Sequence, residues 1–347
     1  MAQPFDTNRL VTTGEAVPLA EQIQILPVSL RGVFSASASG VLVYQTGART
    51  ANQLTWFDRS GRRAGTLGDP GTIFSLEFSP DRKYVASSRN DTEAGRDIWI
   101  YDVARGLKTR FTFDPAEERQ TVWSPDGRSI VFNSNRKGHF DLFQKQANGV
   151  GGEQLLLADS LDKYPSSWSP DGKFLLYDSR FDPKTRTDVW VLPMTPERSG
   201  GERKPFPFAQ TPFNEVNAQF SPDGRWIAYQ SDESERFEIY VAPFRSPGGK
   251  RQISTAGGAQ PRWRRDGKEI YYIAPAGQLM AAGVNMKGDM LDVGAVSQLF
   301  MVGLTGGGYL YDVSADGQRF LARTEPTAAT VQPLTLVQNW TAALTNK

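Results

Sequence analysis

The stretch Ser124-Pro125-Asp126-Gly127 decides the fold, because the same four-residue pattern returns along the chain. Further intact copies begin at Ser169 and Ser221. Variant copies begin at Ser37, Ser79, Arg264 and Ser314. Neighbouring copies start 42–52 residues apart, and a period of this length indicates an array of similar structural units.

Each copy of the motif lies between two apolar segments. Trp123 precedes the copy at Ser124, and Ile130-Val131-Phe132 follows it. Proline presets φ, aspartate accepts a backbone hydrogen bond and glycine takes a positive φ, so the motif predicts a tight turn between two strands. A third strand, such as Asp141-Leu142-Phe143, and a weaker fourth strand complete the repeat. Four short antiparallel strands per repeat are typical of a propeller blade.

The seven copies predict an all-β, seven-bladed β-propeller that forms one domain over residues 1–347. The blades are expected near residues 31–71, 72–115, 116–160, 161–211, 212–256, 257–301 and 302–347. The last copy lacks a fourth strand. Residues 1–30 are expected to supply a lead-in and a strand at 16–20 that completes this blade and closes the ring, since open sheet edges promote aggregation. A six-bladed ring with an irregular segment is the alternative.

The composition excludes several classes of protein. The 39 Lys and Arg residues balance 38 Asp and Glu residues, so the net charge of +1 gives no general attraction to nucleic acid or anionic membranes. The absence of cysteine removes disulfides and thiolate metal sites. No apolar run approaches the roughly 18–20 residues of a membrane span, and the first residues lack the segments of a signal peptide. We expect a soluble monomer without a cofactor.

Catalytic signatures are also absent from the sequence. The one histidine, His139, lies in a polar turn, and no Gly-x-Ser-x-Gly elbow occurs. We therefore expect no catalytic residue and no metal site. Asp178, Asp182 and Asp188 leave a calcium site open, although they lack the spacing of an EF-hand loop.

Longer phrases resemble a known repeat. Trp-Ser-Pro-Asp-Gly-Arg-Ser-Ile-Val-Phe at 123–132 and Phe-Ser-Pro-Asp-Gly-Arg-Trp-Ile-Ala-Tyr at 220–229 resemble the WD40-like PD40 repeat of the translocation protein TolB and its relatives, some of which are six-bladed. Nearly the whole chain resembles, more narrowly, the C-terminal sensor region of the large serine/threonine kinases that are abundant in acidobacteria. The segments that carry this resemblance are Gln53-Leu54-Thr55-Trp56-Phe57-Asp58-Arg59-Ser60-Gly61, Arg96-Asp97-Ile98-Trp99 and Pro261-Arg262-Trp263-Arg264-Arg265-Asp266-Gly267.

The resemblance implies the sensor or interaction module of a bacterial signalling protein, placed in the periplasm or otherwise outside the cytoplasm. The kinase motifs themselves are absent from the sequence, so ATP binding is not expected. The start at Met1 falls where a blade is already expected, which favours a piece of a longer protein.

Polar residues that do not repeat stand at the start of each innermost strand, at one mouth of the central channel. Because a ligand site breaks the symmetry of a repeat, they suit a small polar ligand, a peptide or a protein, with a water-filled channel as the alternative. The candidate ligand-binding residues are Arg119, Gln120, Lys163, Tyr164, Glu215, Asn217, Gln260 and Arg262. We expect a non-enzymatic binding module. The alternatives are a hydrolytic or enzyme-associated propeller, with an acidic or metal-dependent channel site, and a scaffold.

Overall fold

The computed structural model describes residues 2–20, 23, 25–26, 31–37, 39–45, 51–92, 95–195, 203–246, 248–287, 290–303, 308–325 and 334–341. These residues form strands, turns and loops, without an α-helix. Nowhere in them does a helix reach the length and apolar character that crossing a membrane requires. The chain divides into two compact units, Asn52–Thr324 and Met1–Ala51 with Glu325–Lys347.

Six groups of four antiparallel strands make up the larger unit in the residues described. We number these groups as sheets I to VI in the order of their first strands. The strands are Arg63–Phe78, Tyr84–Thr92, Gly95–Asp102 and Lys108–Arg110 in sheet I; Glu118–Trp123, Ser129–Ser134, Asp141–Gln146 and Gln154–Leu157 in sheet II; Asp162–Trp168, Phe174–Asp182, Arg186–Pro193 and Phe206–Ala209 in sheet III; Glu215–Phe220, Trp226–Ser231, Glu238–Pro243 and Arg251–Gln252 in sheet IV; Ala259–Trp263, Glu269–Ile273, Gln278–Lys287 and Met290–Met301 in sheet V; and Tyr311–Val313, Arg319–Thr324, Asn52–Asp58 and Arg63–Phe78 in sheet VI.

Sheet VI combines the two ends of the larger unit. Arg319–Thr324 pairs with Asn52–Asp58, so two strands come from the last motif copy and two from the first. The long strand Arg63–Phe78 belongs to sheets I and VI together, because Leu67 pairs with Leu54 and Phe78 pairs with Val85. Sheets I and VI are therefore continuous through this strand.

The pairing differs from the seven blades expected from seven motif copies. The first two strands of the first copy, Phe34–Ala36 and Val41–Gln45, pair with Leu334–Gln338 in a three-stranded sheet of the smaller unit. The last copy thus contributes only two strands to the larger unit, and the first copy supplies the other two. The strands of the first and last copies are divided between the three-stranded sheet and sheet VI. Seven similar repeats therefore yield six complete four-stranded groups in the described residues.

The expected closing strand at 16–20 also differs from the structure. Val17 forms an isolated bridge with Ala2 in the smaller unit, and the last four-stranded group is completed by Asn52–Asp58 instead. Asn52–Asp58 offers a longer and better buried strand than the segment around Val17, which explains the difference. The smaller unit also contains two short hairpins, Phe5–Asp6 with Val11–Thr12 and Ile25–Leu26 with Arg31–Gly32.

Side-chain hydrogen bonds explain the composition of the repeated motif. The Ser124 hydroxyl donates to Asp126 Oδ1 at 2.6 Å and accepts from the backbone N–H of Ser129 at 2.9 Å. Asp126 Oδ1 also accepts from the backbone N–H of Arg128 at 3.0 Å, and Gly127 takes a φ of +70°. The copies at Ser79, Ser169, Ser221 and Ser314 repeat these bonds.

Apolar side chains fill the space between neighbouring sheets. Trp123, which precedes a motif copy, packs in a buried cluster with Ile98 and Phe111 of sheet I. Trp263 packs in the corresponding way with Trp226 and Ile239 of sheet IV. Burial of such rings against the adjacent sheet is the main stabilising contact between sheets, because a single sheet leaves its faces exposed to water.

Gly172→Ala tests the turn conformation. Gly172 has a φ of +76°, and no other atom lies within 4 Å of a Cβ built on it, so the cost is purely conformational. We expect the free energy of unfolding, measured by urea titration, to fall by about 1 kcal/mol. Gly152→Ala is the matched control, because its Cβ also meets nothing within 4 Å and its φ is not positive. Equal effects of the two substitutions would contradict the assignment.

Candidate functional site

The first strands of sheets I to V each contain a β-bulge. The register shifts between Ile73 and Ser75 in sheet I and at the corresponding place in the other four. In sheets IV and V the bulge holds Asn217 and Gln260 at φ values of +55° and +57°. Because a bulge breaks the alternation of a strand, it redirects side chains that would otherwise pack between sheets.

Arg262 forms hydrogen bonds with several sheets at once. Its Nη1 donates to Gln219 Oε1 of sheet IV at 3.2 Å, and its Nη2 donates to the carbonyl oxygen of Leu76 in sheet I at 3.4 Å. Its guanidinium lies 3.8 Å from the ring centroid of Tyr309, just before the first strand of sheet VI. The Gln219 amide donates to Tyr309 Oη at 2.8 Å and to the carbonyl oxygen of Ser166 in sheet III. The first strands of sheets I, III, IV and V, and the segment that leads into sheet VI, therefore meet at one place, which we call the axis. Arg262, Gln219 and Tyr309 there form what we call the axial network.

Two carboxyl groups lie beside the axial network. Asp312 lies 3.9 Å from Arg262 Nε and accepts from the backbone N–H of Phe78 at 2.8 Å. Burial raises the pKa of Glu77 to about 8, with Arg262 acting in the opposite direction. Burial disfavours the charge on Arg262, but Asp312, Tyr309 and Glu77 raise its pKa above the ordinary value. The axis is thus a polar, charge-paired region between sheets whose other contacts are apolar.

Arginine replaces glycine in one motif turn, and it extends toward this region. Arg82 adopts a φ of +62° where the other complete copies of the larger unit have glycine. Its Nη1 donates to Asp312 Oδ2 at 3.5 Å, and its guanidinium lies over the Phe78 ring at 5.2 Å. A non-glycine residue in this conformation is strained, so the contact with Asp312 offsets part of that strain.

A second polar group lies at the end of the sheets where the first strands begin, which we call the strand-start end. Arg119 Nη1 donates to Tyr164 Oη at 2.9 Å, and the Arg180 guanidinium stacks over the Tyr164 ring at 3.9 Å. Arg180 Nη2 donates to Asp178 Oδ2 at 3.1 Å, and Asp178 Oδ1 accepts from the backbone N–H of Asn217 at 3.0 Å. Burial raises the pKa of Asp178, with Arg180 opposing the shift.

The structure brings some of the expected site residues together and separates others. Arg119 and Tyr164 are in contact, and Asn217 and Gln260 both donate to Gln230 Oε1, at 3.0 and 2.9 Å. Arg262 lies deeper, in the axial network. The Gln120 backbone N–H donates to Asn133 Oδ1 at 2.9 Å within sheet II.

Lys163 and Glu215 contact the loops that lead into their own strands. The fully buried Lys163 ammonium donates to Asp159 Oδ1 and to the carbonyl oxygen of Leu161, both at 2.6 Å. Glu215 accepts from the hydroxyl and the backbone N–H of Thr211. Both side chains hold an entering loop in place, and among the described residues neither side chain forms a hydrogen bond with the Arg119 or Tyr164 side chain.

Sequence reasoning missed the residues two positions before each motif. They are Glu77, Val122, Ser167, Gln219, Arg262 and Asp312, and only Arg262 was among the candidates. Four of the six belong to the axial network or lie beside it. The signal was present in the sequence, since charge and polarity at this position vary strongly from copy to copy.

Three exposed phenylalanines lie at the strand-start end, Phe181 at the end of a strand and Phe213 and Phe237 in connections. Phe181, Phe213 and Phe237 are 72%, 40% and 38% exposed. The segments around them are linked, because Asn214 bridges to Thr187 and its backbone N–H donates to Asp232 Oδ1 at 2.8 Å. Exposed rings at one end of a protein are candidates for an interaction surface.

The described residues offer few of the groups that metal binding or nucleophilic catalysis requires. No group of three or more His, Asp or Glu side chains there is arranged to bind a metal ion. His139 Nδ1 lies 3.4 Å from Asp162 Oδ1 at an exposed turn.

Comparisons with known proteins concern the fold and the repeat. Residues 38–195 match the family model PD40, the TolB beta propeller domain. The curated "Uncharacterized protein Atu1656" of Agrobacterium fabrum strain C58 is 33% identical over 143 residues, which are 38% of this chain and 46% of that protein. The matched region therefore spans about half the length of this relative.

Two solved structures have a similar fold over most of the chain. A structure assigned as TolB from Agrobacterium tumefaciens has a TM-score of 0.62 and 17% identity, covering 81% of this chain and 100% of that chain. The hydrazine synthase of Kuenenia stuttgartiensis has a TM-score of 0.55 and 12% identity, covering 88% and 94%. At such identities the similarity concerns the fold alone. The chain has an all-β, propeller-like fold of the TolB type, and its PD40 segment shares sequence features with that family.

Glu77→Gln tests the raised pKa near the axis. Between the ordinary value of 4.5 and about 8, the folded protein keeps a proton that the unfolded chain releases, so the free energy of unfolding falls as pH rises through this window. We expect Glu77→Gln to stabilise the protein more at about pH 8 than at about pH 5, measured by urea titration. Glu15→Gln, at an exposed position, is the charge-matched control. A difference that does not change with pH would contradict the assignment.

Arg262→Ala tests the axial network. Removing this guanidinium removes the hydrogen bonds to Gln219 Oε1 and to the Leu76 carbonyl oxygen and leaves Asp312 with Arg82 as its charged partner, so we expect the free energy of unfolding to fall by about 3 kcal/mol. Arg62→Ala removes an exposed guanidinium and is expected to change stability by less than about 0.5 kcal/mol. If both variants behave alike in urea titrations, Arg262 does not hold the sheets together.

Proposed function

We propose that Asn52–Thr324 is a six-bladed propeller closed through sheet VI, and that it binds a protein or peptide at the strand-start end. The observation that carries the proposal is Tyr164, which accepts a hydrogen bond from Arg119 and is stacked by Arg180. Glu117 Oε2 accepts from Arg119 Nε and Nη2, and Asp178 accepts from Arg180, so both guanidinium groups are fixed in position. The Arg119–Glu117 pair is partly exposed, so a ligand carboxylate, such as a peptide end or an acidic side chain, can replace it or share these donors.

Buried polar atoms around these arginines support a ligand at this place. Gln120 Nε2, Asn217 Oδ1 and Arg180 Nε are buried and have no hydrogen-bond partner among the described residues. Leaving such an atom unpaired costs about 1–3 kcal/mol, and a polar ligand removes that cost by supplying the missing partners. These are donors and an acceptor together, which suits a peptide group.

The exposed phenylalanines support a protein or peptide rather than a small polar molecule. Phe181, Phe213 and Phe237 lie at the same end as Arg119 and Arg180, because loops that follow second and fourth strands lie beside the starts of first strands. Interfaces with proteins combine aromatic residues and arginine at their centres. The partner is therefore expected to offer a carboxylate next to apolar side chains.

In this proposal the propeller is the interaction or sensor module of a bacterial signalling protein, and it lies outside the cytoplasm. The resemblance to the sensor regions of bacterial kinases supports this role. The candidate residues Lys163, Glu215 and Gln260 then act by fixing the loops and strands that carry Arg119, Tyr164 and Asn217.

A library of short peptides with free carboxyl ends tests the proposal. Binding is measured by fluorescence anisotropy, and Arg119→Ala is expected to weaken the best binders about tenfold, because a hydrogen bond to a charged group is lost. Lys173→Ala is the control, since it removes one exposed positive charge at a motif turn of sheet III. Equal losses in both variants would indicate general electrostatic attraction, and a folded wild-type protein that binds none of the peptides would refute the proposal.

The hydrolytic alternative makes a different prediction in the same samples. Reproducible turnover of a peptide or ester that Glu215→Gln abolishes would favour an enzyme, since Glu215 would then act in the reaction as well as hold Thr211.

A further inference from the structure

A groove lies at the opposite end of the larger unit, where the motif turns are. Its volume is about 790 Å³, within the roughly 300–1,000 Å³ of common ligand sites. The motif turns of sheets I and II form its walls, and they are adjacent, because a Cβ on Gly127 would lie 3.9 Å from Pro80 Cδ. Arg265, from the motif turn of sheet V, completes the lining.

Apolar surface in the groove comes from rings and short side chains. Tyr84 is 41% exposed, and it stands with Ile100, Pro80 and Pro125 along the groove. An exposed aromatic ring beside proline rings is a surface on which another flat, rigid apolar group packs well. Extended proline-rich peptides use such aromatic surfaces.

Trp123 distinguishes this groove from the corresponding places in other sheets. Trp168 Nε1 donates to the carbonyl oxygen of Gly172 at 3.0 Å, and Trp263 Nε1 donates to the carbonyl oxygen of Gln219 at 3.2 Å. Trp123 lines the groove and is 6% exposed, and its Nε1 has no partner in the part of the chain described. Buried indole N–H groups usually have an acceptor, and a ligand carbonyl oxygen would supply one to Trp123.

Two carboxylates stand at the groove. Hydrogen bonds from Ser79 and Ser124 lower the pKa of Asp81 and Asp126, so both stay ionised at ordinary pH. Their nearest cations, Lys83 and Arg128, are exposed and lie 3.6 and 3.9 Å away. Exposed pairs of this kind contribute little, so a cationic ligand can replace them.

The groove therefore offers apolar rings, polar groups and two charged acceptors. Trp123 and Arg265 donate only, Tyr84 and Asn148 both donate and accept, and Asp81 and Asp126 are the charged acceptors. A ligand that matches them has carbonyl groups, apolar rings and a positive charge. Proline supplies the rings and carbonyl groups without an N–H, and arginine or lysine supplies the charge.

We propose that this groove binds an extended, proline-rich peptide segment that carries a basic side chain, with the prolines on Tyr84 and the cation at Asp81 and Asp126. The site is separate from the strand-start end and does not depend on the function proposed there.

The test uses the full chain and a fluorescein-labelled short proline peptide with one central arginine. Fluorescence anisotropy is expected to show saturable binding that Tyr84→Ala weakens about tenfold, as for a central aromatic contact. Asp126→Asn is expected to weaken it about threefold, as for a partly exposed charge pair. Peptides with glutamate in place of arginine, or with alanine in place of proline, are expected to bind more weakly.

Asp171→Asn is the matched control for Asp126→Asn. Asp171 accepts from Ser169 and from the backbone N–H of Lys173 just as Asp126 does in its own turn, but it lies outside the groove. It is expected to leave the peptide affinity unchanged. The peptide carries an amidated carboxyl end, so that it offers no free carboxylate to the strand-start end. The proposal is overturned if folded wild-type protein does not bind the arginine peptide saturably, or if Asp171→Asn and Asp126→Asn act equally.

Discussion

A positive charge buried at the axis constrains the whole of the larger unit. A guanidinium removed from water needs acceptors nearby, and no single four-stranded sheet can surround Arg262 with them. The acceptors come from other sheets, as Gln219, the Leu76 carbonyl and Asp312. The sheets therefore have to meet in one relative arrangement, because any slippage between them would leave a charge unpaired. Apolar packing between sheets favours association of similar surfaces in general, whereas this network specifies which sheets meet at the axis.

Repeated residues and variable residues have separate roles along each first strand. The motif turn repeats the same bonds in sheet after sheet, as between Ser124, Asp126 and Ser129, and these bonds make each sheet fold locally. The positions just before the motif vary, and there the chain places Glu77, Gln219 and Asp312 beside Arg262. Identical turns build a scaffold of equivalent sheets, whose two ends have different chemistry. One end presents arginines on Tyr164, at positions that vary between copies, while the other presents the carboxylates of two repeated turns around Tyr84.

The sequence was sufficient to predict the all-β class, the four strands of each unit and the turn chemistry, because those depend on local patterns repeated many times. It did not predict which strands pair at the ends of the array. Val41–Gln45 and Arg319–Thr324 are both plausible neighbours of Asn52–Asp58 by composition, and the choice depends on contacts far apart in sequence. Of the candidate site residues, Arg119 and Tyr164 are in contact, whereas Glu77 and Gln219 beside Arg262 were not among the candidates. The bulges in the first strands explain this, since they shift side chains relative to the simple alternation from which facing is deduced.

The composite nature of sheet VI has a consequence for biosynthesis. The hydroxyls of Thr55 and Thr324 are hydrogen-bonded at 2.8 Å although 269 positions separate them. Asn52–Asp58 is thus translated early, and its neighbour Arg319–Thr324 emerges from the ribosome only near the end of synthesis. Sheets II to V, in contrast, form from contiguous sequence. During that interval the nascent chain carries an unpaired strand edge that could bind another polypeptide. Rapid translation of the last repeats, or a chaperone that covers this edge, would therefore protect the growing protein.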